Sequence, residues 1–120
     1  MTIKPKSIRS FIGAKDFSLS RSFYKDVGFE EVIISPDMSL FKIGDFGFYL
    51  QDAYVKEWIE NSMIFLEVEN LAEVLQQLTE KDLEARYLNV KISRIHFKDW
   101  GNEFFVHDPS GILWHIGEFK

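Results

Sequence analysis

The residues of this chain whose types and spacing can do chemistry are His115, Gln51 and a set of large aromatics. His115 follows Trp114 in an apolar run, so on a strand the two side chains leave opposite faces. That run comes after the turn Asp108-Pro109-Ser110-Gly111, where Pro109 presets φ and Gly111 accepts the positive φ other residues resist. A fainter echo lies at Gly44-Asp45-Phe46-Gly47-Phe48-Tyr49-Leu50-Gln51: Gly111 to His115 is four positions, and so is Gly47 to Gln51. An imidazole and an amide at matched strand positions can hydrogen-bond a ligand or contribute to a metal site. Tyr49, Tyr54, Trp58 and Trp100 can hold a planar or cationic molecule. Tyr54 and Trp58, four apart, share a face if that segment is helical. Plainer readings stand beside these. His115 can be a hydrogen-bonded strand histidine, Trp58 a contact to a second chain, and the aromatics core filling. His96 and His107 read as structural or surface residues, and Arg94 and Lys98 as solvated loop charges that can also meet an anion. No serine has a histidine at a telling spacing, so no nucleophile–base pair is visible.

The elements that must position these groups come from one chain of 120 residues, long enough to bury a core. Aromatic content is high at 16%, with 12 Phe, which suits a thick core or a pocket for an apolar ligand. A net charge of −5 argues against nucleic acid and is compatible with cationic ligands. With no cysteine there is no disulfide, thiolate nucleophile or cysteine metal site, which fits a reducing cytoplasm. The N-terminal MTIKPKSIRS lacks a signal-peptide core, and no apolar run reaches membrane-span length. Cytoplasmic localisation without membrane or nucleic-acid partners is the expectation.

Patterning predicts a strand over Ile8–Ala14 and a helix from a cap at Asp16 or Ser18 to about Asp26. Leu19, Phe23 and Val27 make its stripe, and Gly28 ends it. Strands over Phe29–Ser35, Met38–Ile43 and Phe46–Gln51 follow. The second half repeats the order. Ser62–Val68 reads as a strand, and Asn70 caps a helix with Leu71, Leu75 and Leu78 as its stripe. Leu83–Ile92 reads as extended, Ser93–Gly101 as a polar loop, and Asn102–His107 with Ile112–Gly117 as a closing hairpin. The expectation is a single α+β domain over 1–120: module one at about 7–52, a linker at 53–61 and module two at about 62–119. Each module is a βαβββ unit, and the second carries about ten extra residues near its third strand.

Two segments carry a family resemblance across nearly the whole chain. SRSFYKDVGFEEV, through Ser20 or Ser22, Phe23, Tyr24, Gly28 and Phe29, is similar to a signature of the vicinal oxygen chelate superfamily. DPSGILWHI, through Asp108, Pro109, Gly111 and the position of His115, resembles that superfamily's closing hairpin. The superfamily includes glyoxalase I, bleomycin and fosfomycin resistance proteins and extradiol dioxygenases. The resemblance implies two βαβββ modules in a half-open, mostly antiparallel barrel-like sheet around one pocket, often shared in a homodimer. It is specific for fold and silent on activity, because the fold hosts several chemistries.

Metal-dependent members hold their ion on the first and last strand of each module. Carried over, those positions fall at Arg9, Gln51, Met63 and His115. Arg9 is a permanent cation and Met63 a soft donor, so only Gln51 and His115 remain, too few to hold a divalent ion. The resemblance therefore implies a bleomycin-resistance-like protein that sequesters an aromatic or cationic small molecule, with no metal or other cofactor and binding rather than catalysis. Its ligand residues would be Tyr49, Gln51, Tyr54, Trp58, Trp100 and His115. With the family's register, Tyr49, Gln51 and His115 face the pocket, and Phe48, Leu50 and Trp114 face the helices. The alternative is a metal-dependent lyase or dioxygenase with a degenerate site.

Overall fold

A computed structural model describes residues 2–120. Module one runs β1 (Phe11–Gly13), α1 (Phe17–Val27), β2 (Glu30–Ser35), β3 (Met38–Ile43) and β4 (Phe46–Gln51). A short helix, α2 (Lys56–Glu60), follows. Module two runs β5 (Met63–Glu67), α3 (Leu71–Glu80), α4 (Leu83–Arg86), β6 (Lys91–Ile92), β7 (His96–Phe97), β8 (Gly101–His107) and β9 (Leu113–Phe119). The sheet orders are β1-β4-β3-β2 and β5-β9-β8-β6, with β7 also on β8. In each sheet the module's first strand lies parallel to its last, and the other pairings are antiparallel. Neither sheet closes into a barrel. This is the predicted pair of βαβββ modules.

Local chemistry sets the element ends. Asp16 and Asn70 cap α1 and α3 by accepting the backbone N–H three residues on, each at 3.1 Å. Gly28 ends α1 at φ 127°, and Gly111 sits at φ 106° in the closing turn. Two predicted spans are corrected. The first strand is only Phe11–Gly13. Leu83–Ile92 is extended only at its end, in β6: Asp82 in the left-handed region turns the chain into the α4 turn, which buries Leu83 and Tyr87 four residues apart. Ser93 then splits the strand after it, its Oγ accepting from the Phe105 N–H at 2.8 Å. Together with α4, this break lengthens module two.

The helix-side faces of both sheets share one core. Tyr24 is its hub. Its ring packs on Phe41 and Phe48 from one sheet and on Trp114 from the other. Trp114 Nε1–H donates to Tyr24 Oη at 2.9 Å, and Tyr24 O–H donates to Asp108 Oδ2 at 2.6 Å. Asp108 Oδ1 accepts the N–H groups of Ser110, Gly111 and Ile112. A fully buried carboxylate thus builds the closing turn and fastens it to α1 of the other module. Burial, and then the Asp108 charge, push the Tyr24 phenol well above its usual value. Burial also raises Asp108, against the lowering hydrogen bonds from Tyr24 and the backbone. A second tie joins the helices: Lys81 Nζ donates to the Asp26 and Val27 carbonyls at the C-terminus of α1. Arg21 forks onto Glu31 at 2.6 and 3.2 Å, pinning α1 to β2.

Candidate functional site

Because the helix-side faces are inside, alternating residues put a second set on the outer faces. On the first sheet, Phe11 pairs across the parallel ladder with Tyr49, and their rings stack at 5.0 Å. The Arg9 guanidinium carbon lies 5.9 Å from the Tyr49 ring centroid, and Nη1 donates to Tyr49 Oη at 3.4 Å. Arg9 Nε is buried with no partner among the described residues. Gln51 is half-buried at the end of β4, at Tyr49 parity.

The second sheet repeats this arrangement with different chemistry. Phe65 pairs across its ladder with His115, their rings stacked at 6.3 Å. Trp100 packs on Phe65 and on Phe119, at 6.0 and 5.2 Å. His115 Nδ1 lies 2.8 Å from Glu103 Oε1, and Nε2 lies 3.5 Å from Met63 Sδ. An ionised Glu103 requires a proton on Nδ1, which leaves the Nε2 of a neutral ring as an acceptor towards the outer face. Phe105 closes the edge of the His115 ring at 5.0 Å.

Of the predicted ligand residues, Trp100 and His115 share the second sheet, and Tyr49 and Gln51 the first. The hydrogen bonds and ring contacts of each set stay within its own sheet. Tyr54 lies before α2 with the Lys15 ammonium 5.6 Å from its ring. Trp58 is on α2 and 72% exposed. Tyr54 is thus outside the helix that would have aligned it with Trp58. Glu103, Phe11, Phe65 and Phe119 are not among the ligand residues expected from the sequence. Glu103 was legible in the hairpin register: the turn sets Phe105 opposite His115, and Glu103 is two residues along on the same face.

The register also corrects the repeat. Phe11 and Phe65 occupy the same place relative to the caps Asp16 and Asn70, and their ladder partners are Tyr49 and His115. The counterpart of His115 is therefore Tyr49, not Gln51. Gly47 lies inside β4, where an added Cβ would sit 2.6 Å from the Phe41 carbonyl oxygen, whereas Gly111 is a turn glycine. The four positions around which a metal would be held are thus Arg9, Tyr49, Met63 and His115. One cation, one phenol, one thioether and one imidazole do not fit a hard or borderline divalent ion. Among the described residues no three His, Cys, Asp or Glu side chains converge as a metal cluster.

A cavity of about 890 Å³ opens at one end of the core, between the β3–β4 hairpin and the β5 edge. None of the six predicted ligand residues lines it, although Phe65 and Phe119 do. No described helix is long and apolar enough to cross a membrane.

No family model and no curated protein sequence matches the chain. Solved structures do. A bleomycin-binding protein complexed with bleomycin superposes with a TM-score of 0.79 at 19% identity, covering 95% of this chain and 98% of that one. The bleomycin-binding protein from Streptomyces verticillus, complexed with copper(II)-bleomycin, gives 0.80 at 18% identity, covering 99% and 100%. A lactoylglutathione lyase from Agrobacterium tumefaciens gives 0.70 at 23% identity, covering 95% and 94%. The chain has the fold these proteins share, which is the fold the sequence resemblance implied.

Proposed function

We propose that this protein sequesters a small molecule with an aromatic body and a cationic group, without a metal, on the outer faces of its two sheets. The observation that carries this reading is a set of four side chains, Arg9, Tyr49, Met63 and His115, that fits no Lewis acid and lies beside the stacked pairs Phe11–Tyr49 and Phe65–His115. Where a Lewis-acid site needs carboxylates and imidazoles, the first sheet presents Arg9, Phe11 and Tyr49, and the second presents Met63, Phe65 and His115. Stacked rings hold a flat ligand, and the acceptor Nε2 of His115, backed by buried Glu103, suits a ligand N–H or ammonium. The likeness to bleomycin-binding folds supports a binding role of this kind.

The two ring sets do not meet within one chain, and both leave apolar surface open: Phe11 is 58% exposed and Met63 65%. The proposal therefore includes a homodimer in which the first sheet of one copy faces the second sheet of the other and closes the pocket. Light scattering should give a dimer mass. A thermal-shift screen of cationic aromatic antibiotics, run in EDTA, should raise Tm for at least one compound. A monomer that no compound stabilises would overturn the reading.

A metal-dependent lyase or dioxygenase is the second reading, and one observation favours it. Glu103 holds His115 as a carboxylate holds a metal-ligating imidazole. Stoichiometric metal in purified protein, lost in His115→Ala, would establish it over the first.

A further inference from the structure

The cleft at the open end of the core is a separate matter from the outer faces. The β3–β4 hairpin pairs Ile43 with Phe46 at its tip, on the same face as the buried pair Phe41 and Phe48. That face is otherwise covered by the core, yet Phe46 is 78% exposed. Across the gap, the edge strand β5 presents Ile64 and Leu66, with Trp114 at the bottom. Two apolar walls therefore face each other across the cleft. The volume of about 890 Å³ is in the range of small-molecule sites, roughly 300–1,000 Å³.

The polar side of the lining has one sign. Glu67, Glu69 and Glu118 line the cleft, and no Lys, Arg or His does. Among the described residues none of the three makes an ion pair or a side-chain hydrogen bond. Carboxylates beside an apolar wall repel an anion and concentrate a cation, and Phe46, Phe48 and Trp114 give that wall an aromatic lining. We infer that this cleft is a binding site for an organic cation with a flat apolar body, held by its rings between the hairpin and β5 and by its charge at the glutamate rim. The inference differs from the outer-face reading in its cavity and its polar groups, although Phe65 and Phe119 border both.

Thioflavin T, a flat cationic dye, tests it against ANS, an anionic dye with a flat apolar body. Titrated into the full chain at low salt, thioflavin T should show saturable fluorescence enhancement that weakens as salt rises. The double variant Glu67→Gln/Glu118→Gln should bind it about tenfold more weakly. Ile43→Trp, which fills the mouth of the cleft, should abolish the signal. Both variants should retain the fold by circular dichroism and leave bleomycin binding at the outer faces as in the unmodified chain. The inference is overturned if thioflavin T does not bind, if ANS binds more tightly, or if the glutamine variant binds thioflavin T like the parent. Loss of bleomycin binding together with the dye would also overturn it, because the two would then share one site. If bleomycin never binds but the dye behaves as described, the outer-face reading fails and the cleft stands.

Discussion

Replacing Tyr24 by Phe tests the tie between the modules with almost no change in shape. The ring stays, so no cavity forms in the aromatic hub, and only the hydroxyl is lost. Two hydrogen bonds go with it: the 2.6 Å bond to the Asp108 carboxylate and the 2.9 Å bond from Trp114. A hydrogen bond to a charged group contributes about 1.5–3 kcal/mol, and leaving the buried Trp114 N–H without an acceptor costs about 1–3 kcal/mol. Partial relaxation keeps the total near 3–4 kcal/mol, a large share of a typical 5–15 kcal/mol stability. For a chain of this size that lowers Tm by roughly 10–15 °C. The pH dependence follows from Asp108. Its carboxyl is already raised above the ordinary 3.8, and the Tyr24 bond is one of the groups holding it down. Removing that bond raises it further in the folded state only. A raised folded value gives stability that is complete below the unfolded value and lost as pH rises through the folded one. The deficit of Tyr24→Phe should therefore be larger at pH 7 than near pH 4. Urea unfolding at both values, at one protein concentration, measures this. A deficit below about 1 kcal/mol, or one that does not grow with pH, would refute the reasoning.

Other expectations follow from named contacts. Gly101→Ala places a Cβ 2.1 Å from the Glu118 carbonyl oxygen, a backbone atom that cannot rotate away, so denaturant unfolding should show a loss of about 2–3 kcal/mol. Glu31 is held below its usual value, first by the Arg21 hydrogen bond and then by Ser39 and nearby charges, despite its burial. Its contribution is present above the unfolded value of 4.5 and is lost as pH falls through the lower folded value. Glu31→Gln should therefore cost about 1 kcal/mol at pH 7, with the gap closing in acid, as read by thermal unfolding across pH. Phe11→Asp puts a charge on the open face of the first sheet and should convert the proposed dimer to monomer by light scattering, with the fold retained by circular dichroism.

The elements legible in the sequence are those that local chemistry decides. Asp16, Asn70 and Gly28 fix helix ends through bonds within three or four residues, and Pro109 with Gly111 fixes the hairpin that orients Trp114 inward and His115 outward. Where distant partners decide, the reading slipped. The spacing of Leu83 and Tyr87 is helical, but the chain turns there because Asp82 adopts φ 55° and Tyr87 reaches Asp26 on α1. Pairing Gln51 with His115 matched a strand glycine to a turn glycine, and only the ladder register shows Tyr49 as the counterpart. Glu103 was within reach of the turn's register, which sets Phe105 opposite His115, but spacing along the chain alone does not show the cross-strand diagonal on which its role depends. The cleft had no sequence signal at all, since it is the part of the core that two sheets fail to cover.

The central claim is that the outer faces bind a cationic aromatic molecule without metal. The direct test is calorimetric titration of metal-free bleomycin into EDTA-treated protein, beside Trp100→Ala, which removes the ring packed on Phe65 and Phe119. The account predicts saturable binding in the parent chain, weakened about tenfold or more in the variant. Binding that needs added zinc or manganese, or no binding at all, would contradict it.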